Sequence, residues 1–153
     1  MLNKIKKDNK GFTIIEVLIV LAIAGLILLV VFLAVPALQR QSRNTQLKAA
    51  VTSVLGGITD FSATYDGTVP TSITTTDGLV TISSSTTKKV EAKINKGLTA
   101  TLSTGTGDIK VTIGKTCNAD GNDVGPDGTA RNVAIVYSPE NSDGTVTKKC
   151  DNG

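Results

Sequence analysis

The 153-residue chain has room for a membrane anchor and one small domain, but not for two separate hydrophobic cores. Its formal net charge of +3 comes from the lysine-rich first ten residues. The rest of the chain is neutral, which argues against a general binder of nucleic acid or membrane surfaces. Because the chain has no histidine, Ser-His-Asp, Cys-His and His-ligated metal chemistry are excluded. We therefore expect no enzyme and no cofactor.

A long apolar run, from Val17 to Leu38 and broken only by Pro36, follows the lysine-rich leader. At about 1.5 Å per residue it can cross the roughly 30 Å hydrocarbon core of a bilayer. Three interpretations compete: a cleaved secretory signal, a plain anchor, or a segment cut just before it at Gly11–Phe12. The run is longer than a secretory signal requires and no Ala-x-Ala site follows it. A plain anchor gives no reason for the carboxylate of Glu16.

A cut at Gly11–Phe12 would explain Glu16, because it creates a positively charged α-amine on Phe12. The two groups are four residues apart on one helix face. Between neighbouring subunits the same pair can form an ion bridge in a low-dielectric environment, where either charge alone is costly. Such a bridge would set the axial register between helices. We interpret Glu16 as the residue that binds the N-terminus of another subunit.

The stretch GFTIIEVLIVLAIAGLI after the lysine-rich leader resembles the class III signal of type IV pilins and related pseudopilins. The resemblance rests on Gly11, Phe12, Thr13, Glu16 and Gly25. It implies cleavage of leader 1–11 by prepilin peptidase, N-methylation of Phe12, and a role for Glu16 in subunit assembly. It also implies a structural subunit of an extracellular pilus filament, with roles in adhesion, twitching motility or DNA uptake. The alternative is a pseudopilin of a type II secretion or competence system.

The resemblance also implies partners and a location. The partners are further copies of the chain in a helical homopolymer, the inner-membrane assembly platform, and the prepilin peptidase that also methylates. The chain would first lie in the cytoplasmic membrane as a single-pass precursor and then in a pilus on the bacterial surface. The lysine-rich leader favours a cytoplasmic N-terminus.

Beyond the apolar run the pattern becomes amphipathic, and we predict one helix over residues 12–65, with 12–38 as the membrane segment and filament core. Pro36 interrupts the helical hydrogen bonding. In the pilin family a proline usually lies at the position of Leu33, and the stretch from Gly25 to the proline unwinds in the filament. A kink at Pro36 alone is the other expectation.

Several short alternating runs predict a β-rich head over residues 66–153. They cover residues 79–83, 98–103, 109–114, 133–138 and 145–149, and a turn at NSDGT predicts that the last two form a hairpin. KKVEAKINKG fits either a strand or a short helix. A sheet laid on the half-buried helix face gives an α+β fold, the type IV pilin fold, with a small antiparallel sheet and a C-terminal disulfide region.

Cys117 and Cys150 form a disulfide most economically if this region is exported. Closing that loop stabilises the fold by roughly 3–4 kcal/mol in the chain-entropy model. Two free thiols are the alternative.

Two polar features are candidate binding sites. NADGNDVGPDG resembles an oxygen-rich calcium loop, but it departs from the EF-hand pattern and surface turns explain it better; its candidate ligands are Asp120, Asn122, Asp123 and Asp127. A basic cluster makes nucleic acid a candidate partner, but no aromatic side chains accompany it, which favours a solvated face; it comprises Lys88, Lys89, Lys93 and Lys96, with Lys148 and Lys149.

Overall fold

The computed structural model describes residues 11–102 and 108–153. The leader residues 1–10 and Ser103, the end of one predicted strand, lie outside this part of the chain. The chain divides into two compact units, one ending at Leu38 and the other comprising Gln39–Gly153. A long N-terminal helix, β-sheets and a Cys117–Cys150 disulfide are present, so the predicted α+β fold is confirmed.

Helix α1 begins at Ile14 and ends at Thr64. Pro36 lies inside it, and the helical assignment is continuous through this position. A proline removes one N–H donor from the helix ladder, and here that loss does not end the helix. The extent of any unwinding between Gly25 and Pro36 in a filament stays a prediction.

The end of α1 is set by two residues with a left-handed backbone. Asp66 and Gly67 have φ angles of 54° and 73°. The Gly67 N–H donates to the Ser62 carbonyl at 2.7 Å and so satisfies one of the free carbonyls of the last turn. The Tyr-Asp-Gly signal in the sequence therefore marks the end of the helix.

Within residues 11–102 and 108–153, three sheets follow the helix. The first is antiparallel, in the order β1 (Ser72–Thr76), β2 (Leu79–Ser83), β3 (Lys89–Lys93). The second has the order β4 (Ala100–Leu102), β5 (Ile109–Ile113), β8 (Val133–Tyr137), β9 (Lys149–Asn152), with β4 and β5 parallel and the other pairs antiparallel. The third is the hairpin of β6 (Lys115–Cys117) and β7 (Val124–Asp127).

The alternating runs located β2, β4, β5 and β8, and the ambiguous KKVEAKINKG segment contains strand β3. Strands β1, β6 and β7 were not predicted. The last strand was predicted at 145–149, but β9 begins at Lys149. The predicted turn does form, with the Asn141 N–H bonded to the Thr145 carbonyl. The last strand pairs with β8 only from Lys149 onward, with Cys150 opposite Val136. In this register Cys150 also forms the disulfide with Cys117.

The core of the Gln39–Gly153 unit lies between one face of α1 and the sheets. Apolar residues recur on this helix face at the spacing of an amphipathic helix, and the buried ones are Leu47, Ala50, Val51, Val54, Ile58 and Phe61. They pack in one cluster with sheet residues such as Val80, Ile82, Ile109 and Ile135. A Cβ added to Gly57 would lie 2.7 Å from Ile82 Cδ1, so the helix backbone approaches the sheet closely at this glycine.

Thr75 connects the first two sheets by side-chain hydrogen bonds, since, among the described residues, β1 and β4 do not pair through their backbones. Its hydroxyl donates to the Ala100 carbonyl at 3.0 Å and accepts the Ala100 N–H at 2.9 Å. A side chain thus completes the backbone hydrogen bonding of β4, and Ala100 is fully buried.

Candidate functional site

The apolar start of α1 is the most unusual surface in the molecule. Its side chains are exposed, with Phe32 at 75% and Leu33 at 73%. By length and composition this helix can cross a membrane. Its most apolar stretch of 18 residues is not buried against any other part of the described chain. Apolar patches of this size mark contact with lipid or with other chains. The segment therefore fits a membrane anchor.

Thr13 and Glu16 form a reciprocal cap at the start of α1. Glu16 Oε2 accepts the N–H of Thr13 at 3.0 Å and its hydroxyl at 2.8 Å. In return, Thr13 Oγ1 accepts the Glu16 N–H at 3.4 Å. This is the capping box, in which a Thr and a Glu three positions later satisfy each other's free N–H groups. The Thr-x-x-Glu spacing was visible in the sequence, but the interpretation of Glu16 overlooked it.

Gly11 and Phe12 lie just outside the helix, in a segment without regular secondary structure. The Phe12 side chain is 86% exposed, and open space surrounds the Gly11 Cα. The peptide bond between them is thus placed in accessible chain before the cap. Gly25 lies within α1, also with open space at its Cα. Cleavage and N-methylation at these residues stay predictions.

The disulfide anchors the β6–β7 hairpin to the edge strand β9. The Cα atoms of Cys117 and Cys150 are 5.6 Å apart. On either side of the bridge, the Cys117 N–H donates to Asn152 Oδ1 at 2.7 Å and the Cys150 N–H to the Gly121 carbonyl at 2.8 Å. These bonds cover the outer edge of β9, which would otherwise be open for pairing with another chain.

Three of the four candidate calcium ligands, Asn122, Asp123 and Asp127, use side-chain oxygens within the chain. Asp123 binds Lys148 Nζ through Oδ2 at 2.9 Å and the Val124 N–H through Oδ1. The hydrogen bond and charge of Lys148 lower the pKa of the Asp123 carboxyl. Asp127 pairs with Lys115, and the Asn122 side-chain oxygen accepts from Asn118. In the described ranges no three Asp, Glu, Cys or His side chains form a metal-binding group.

The lysines of the predicted basic cluster are partly neutralised. Lys89 pairs with Glu91 at 3.7 Å and Lys96 with Asp77 at 3.0 Å. The Lys88 ammonium lies 5.7 Å from the centre of the Tyr65 ring. These contacts fit a solvated surface better than a phosphate-binding stripe.

A second feature missed by the sequence analysis is a clamp between α1 and the β8–β9 loop, residues 138–148. Asn44 bonds both main-chain groups of Glu140: its Nδ2 donates to the carbonyl at 2.6 Å, and its Oδ1 accepts the N–H at 2.9 Å. Arg43 Nη2 binds Glu140 Oε2 at 2.8 Å, and Arg40 Nη1 donates to the Ser142 carbonyl at 2.6 Å. These partners are about 100 residues apart in sequence, so no local pattern indicated them.

Comparison with known proteins identifies the N-terminal segment. Residues 6–32 match the family model of the prokaryotic N-terminal methylation motif, the class III signal peptide of type IV pilins. No curated protein and no solved structure gave a significant match. The matched range includes Gly11, Phe12, Thr13, Glu16 and Gly25. The methylation motif, the apolar helix and the disulfide-closed α+β head support a type IV pilin-like or pseudopilin-like protein.

Proposed function

We propose that the chain is the structural subunit of an extracellular type IV pilus filament and polymerises through the apolar part of α1. The observation that supports this proposal is the exposed apolar surface of that helix. Its most apolar stretch of 18 residues is not buried against any other part of the described chain. Such a surface requires cover, which lipid supplies before assembly and neighbouring helices supply afterwards. The chain's role in this process is structural rather than catalytic.

Assembly begins with cleavage between Gly11 and Phe12 by prepilin peptidase, followed by methylation of the new α-amine. The cap survives this cut, because Thr13 keeps the amide N–H that Glu16 binds. Both cap bonds end on Oε2 of Glu16. An ionised carboxylate accepts bonds on both oxygens, so Oε1 is free to receive the Phe12 ammonium of a neighbouring subunit. In this arrangement Glu16 serves the helix cap and the assembly contact together.

Two measurements on native material test the processing and the polymer. Intact mass and N-terminal sequencing should give a chain that begins with methylated Phe12. Electron microscopy of sheared cell-surface material should show filaments of this subunit, and Glu16→Ala should abolish them while leaving the amount of membrane-bound subunit unchanged. A native chain that begins at Met1, or normal filaments from Glu16→Ala, would overturn the proposal.

The same preparation separates a pilus from a pseudopilus. A pilin gives long surface filaments at native expression, whereas a pseudopilin of a type II secretion or competence system supports secretion or uptake without them. Adhesion, twitching motility and DNA uptake are the roles we propose for the filament. A deletion strain tests each by surface binding, colony spreading and transformation.

A further inference from the structure

The β8–β9 loop is fixed to the first turns of α1 that follow the apolar run. Arg40, Arg43 and Asn44 all hold it, by side-chain bonds of 2.6–2.9 Å to Glu140 and Ser142. Arg40 is only two positions beyond Leu38. When the apolar run crosses a bilayer, this loop is therefore bound to the part of the helix that leaves the hydrocarbon.

In the part of the chain that the structure describes, the two arginines retain unused hydrogen-bond donors. A guanidinium carries five N–H groups, and the bonds to the loop use one from Arg40 and one from Arg43. The Arg43 side chain is 63% exposed despite its ion pair. Planar guanidinium groups bind phosphate oxygens well, often through two N–H groups at once. Each arginine can thus bind the loop and a phosphate together.

The loop also presents an apolar side chain. Val146 is 62% exposed, and among the described residues beyond Leu38 it is the one large hydrophobic residue that is exposed. A β-bridge pairs it with Glu140, the residue held by Arg43 and Asn44. Its exposed position is therefore fixed by the clamp.

The acidic groups of the loop are already engaged. The Glu140 carboxylate is paired with Arg43. Asp143 Oδ1 accepts the N–H and the hydroxyl of Thr145 at 2.9 and 2.6 Å, and these bonds lead the causes that lower the pKa of the Asp143 carboxyl. The charge of Glu140 is therefore compensated within the clamp, whereas Asp143 stays negative, and the charge of Arg40 contributes to the lowered pKa of the Asp143 carboxyl.

We propose that the β8–β9 loop, with Arg40 and Arg43, contacts the phospholipid headgroups of the leaflet in which the apolar run ends. The arginines bind lipid phosphates, and Val146 enters the interfacial layer. Chain continuity with the apolar run selects lipid as the partner. The proposal rests on the membrane-anchored precursor and does not require polymerisation.

The absence of tryptophan from the sequence permits a direct test. Val146→Trp gives the full chain a single fluorescent reporter in vesicles of phosphatidylcholine and phosphatidylglycerol, with brominated lipids as the quencher. The matched control is Thr86→Trp, also exposed, in the β2–β3 loop. The β2–β3 loop lies near the C-terminal end of α1, because the Tyr65 hydroxyl bonds the main chain of Lys89. Residues 44 and 65 are about 30 Å apart along the helix, so the two reporters lie far from each other.

We expect a blue-shifted emission and strong quenching for Val146→Trp but not for Thr86→Trp. Adding Arg40→Gln to the Val146→Trp chain should reduce the quenching, whereas Arg131→Gln, which removes an arginine that lies against Gly67, should leave it unchanged. Equal quenching of the two reporters, or no effect of Arg40→Gln, would overturn the proposal. If the Val146→Trp chain forms filaments but its reporter is not quenched, the lipid contact of the β8–β9 loop is refuted and the proposed function is not. A quenched reporter in a chain that forms no filaments would refute only the proposed function.

Discussion

Thr13 and Glu16 bond each other at the start of α1, with Glu16 Oε2 at 2.8 Å from the Thr13 hydroxyl and 3.0 Å from its N–H. Glu16 therefore has a local role in a single chain, before any partner binds. A carboxylate at this position also interacts favourably with the positive end of the helix dipole. The cap and the proposed intersubunit ion pair are distinct functions of one side chain, and substitution can separate them.

Glu16→Gln separates the two functions. A glutamine keeps a side-chain oxygen for the Thr13 N–H and so preserves the capping box, but it cannot form an ion pair with the Phe12 amine. Glu16→Ala removes both. Because the proposed register depends on the charge, we expect both variants to lose filaments, measured as subunit in the sheared surface fraction.

Thr13 supplies the matched control for the cap. Thr13→Val loses the hydroxyl and should weaken the helix start by about 1 kcal/mol, while Thr13→Ser keeps it. We expect Thr13→Ser to assemble like the wild type. Wild-type assembly by Glu16→Gln would show that the cap, and not the ion pair, is what Glu16 contributes.

The adjacent glycines of α1 should respond to alanine in opposite directions. A Cβ at Gly57 would lie 2.7 Å from Ile82 Cδ1 and 3.0 Å from Ala92 Cβ, whereas open space surrounds Gly56. Gly57→Ala should lower the free energy of unfolding by about 1–3 kcal/mol through overpacking. Gly56→Ala should raise it by roughly 0.5–1 kcal/mol through helix propensity. Urea unfolding of the detergent-solubilised chain, followed by tyrosine fluorescence, measures both, and equal effects would refute the close approach.

These glycines show what the sequence could and could not predict. The sequence indicated that Gly56 and Gly57 both weaken the end of the helix. It did not show that the sheet packs against Gly57 and leaves Gly56 in open space. Periodicity predicted the apolar helix face, β2 and β5 well, since each buries alternate or regularly spaced residues. The apolar VAIVY run predicted β8, which buries all five of its residues. It missed β1, whose SITTT sequence buries only Ile73 fully.

The candidate site also has a part that the sequence predicts and a part that it does not. Its motif residues occupy a few consecutive positions, and their spacing alone was sufficient to predict the methylation segment that the family model matches. The clamp of Asn44 on Glu140 joins residues 96 positions apart. Such a contact depends on the packing of the whole head, which a single sequence does not specify.

Thr75 should be essential for the connection between β1 and β4. Thr75→Val preserves the side-chain shape but removes both bonds to Ala100, leaving a buried N–H and carbonyl without these partners. We expect a loss of about 1–3 kcal/mol in unfolding free energy. Thr74→Val, at an exposed position on the same strand, should change it by less than about 0.5 kcal/mol. Similar urea midpoints for the two variants would contradict this role of the hydroxyl.

Tyr137 makes the stability of the head sensitive to alkaline pH. Burial of its ring, and then its hydrogen bond to Asp151 Oδ2 at 3.0 Å, raise the pKa of the phenol to about 12. The unfolded chain has the ordinary tyrosine pKa of about 10. The folded state therefore holds this proton more tightly, so the contribution is fully present below about pH 10 and is lost as the pH rises toward about 12.

The titration can be observed directly, because the chain contains two tyrosines and no tryptophan. In a Tyr65→Phe chain, tyrosinate absorbance reports Tyr137 alone and should titrate well above the ordinary value. Adding Asp151→Asn should lower that pKa, since it removes the carboxylate that disfavours tyrosinate. Urea midpoints should fall between pH 9 and pH 11 (about one unit either side of the ordinary pKa) in the Tyr65→Phe chain. They should fall less in Tyr137→Phe, whose ring cannot ionise. An equal decline in both chains would assign the alkaline loss to other groups.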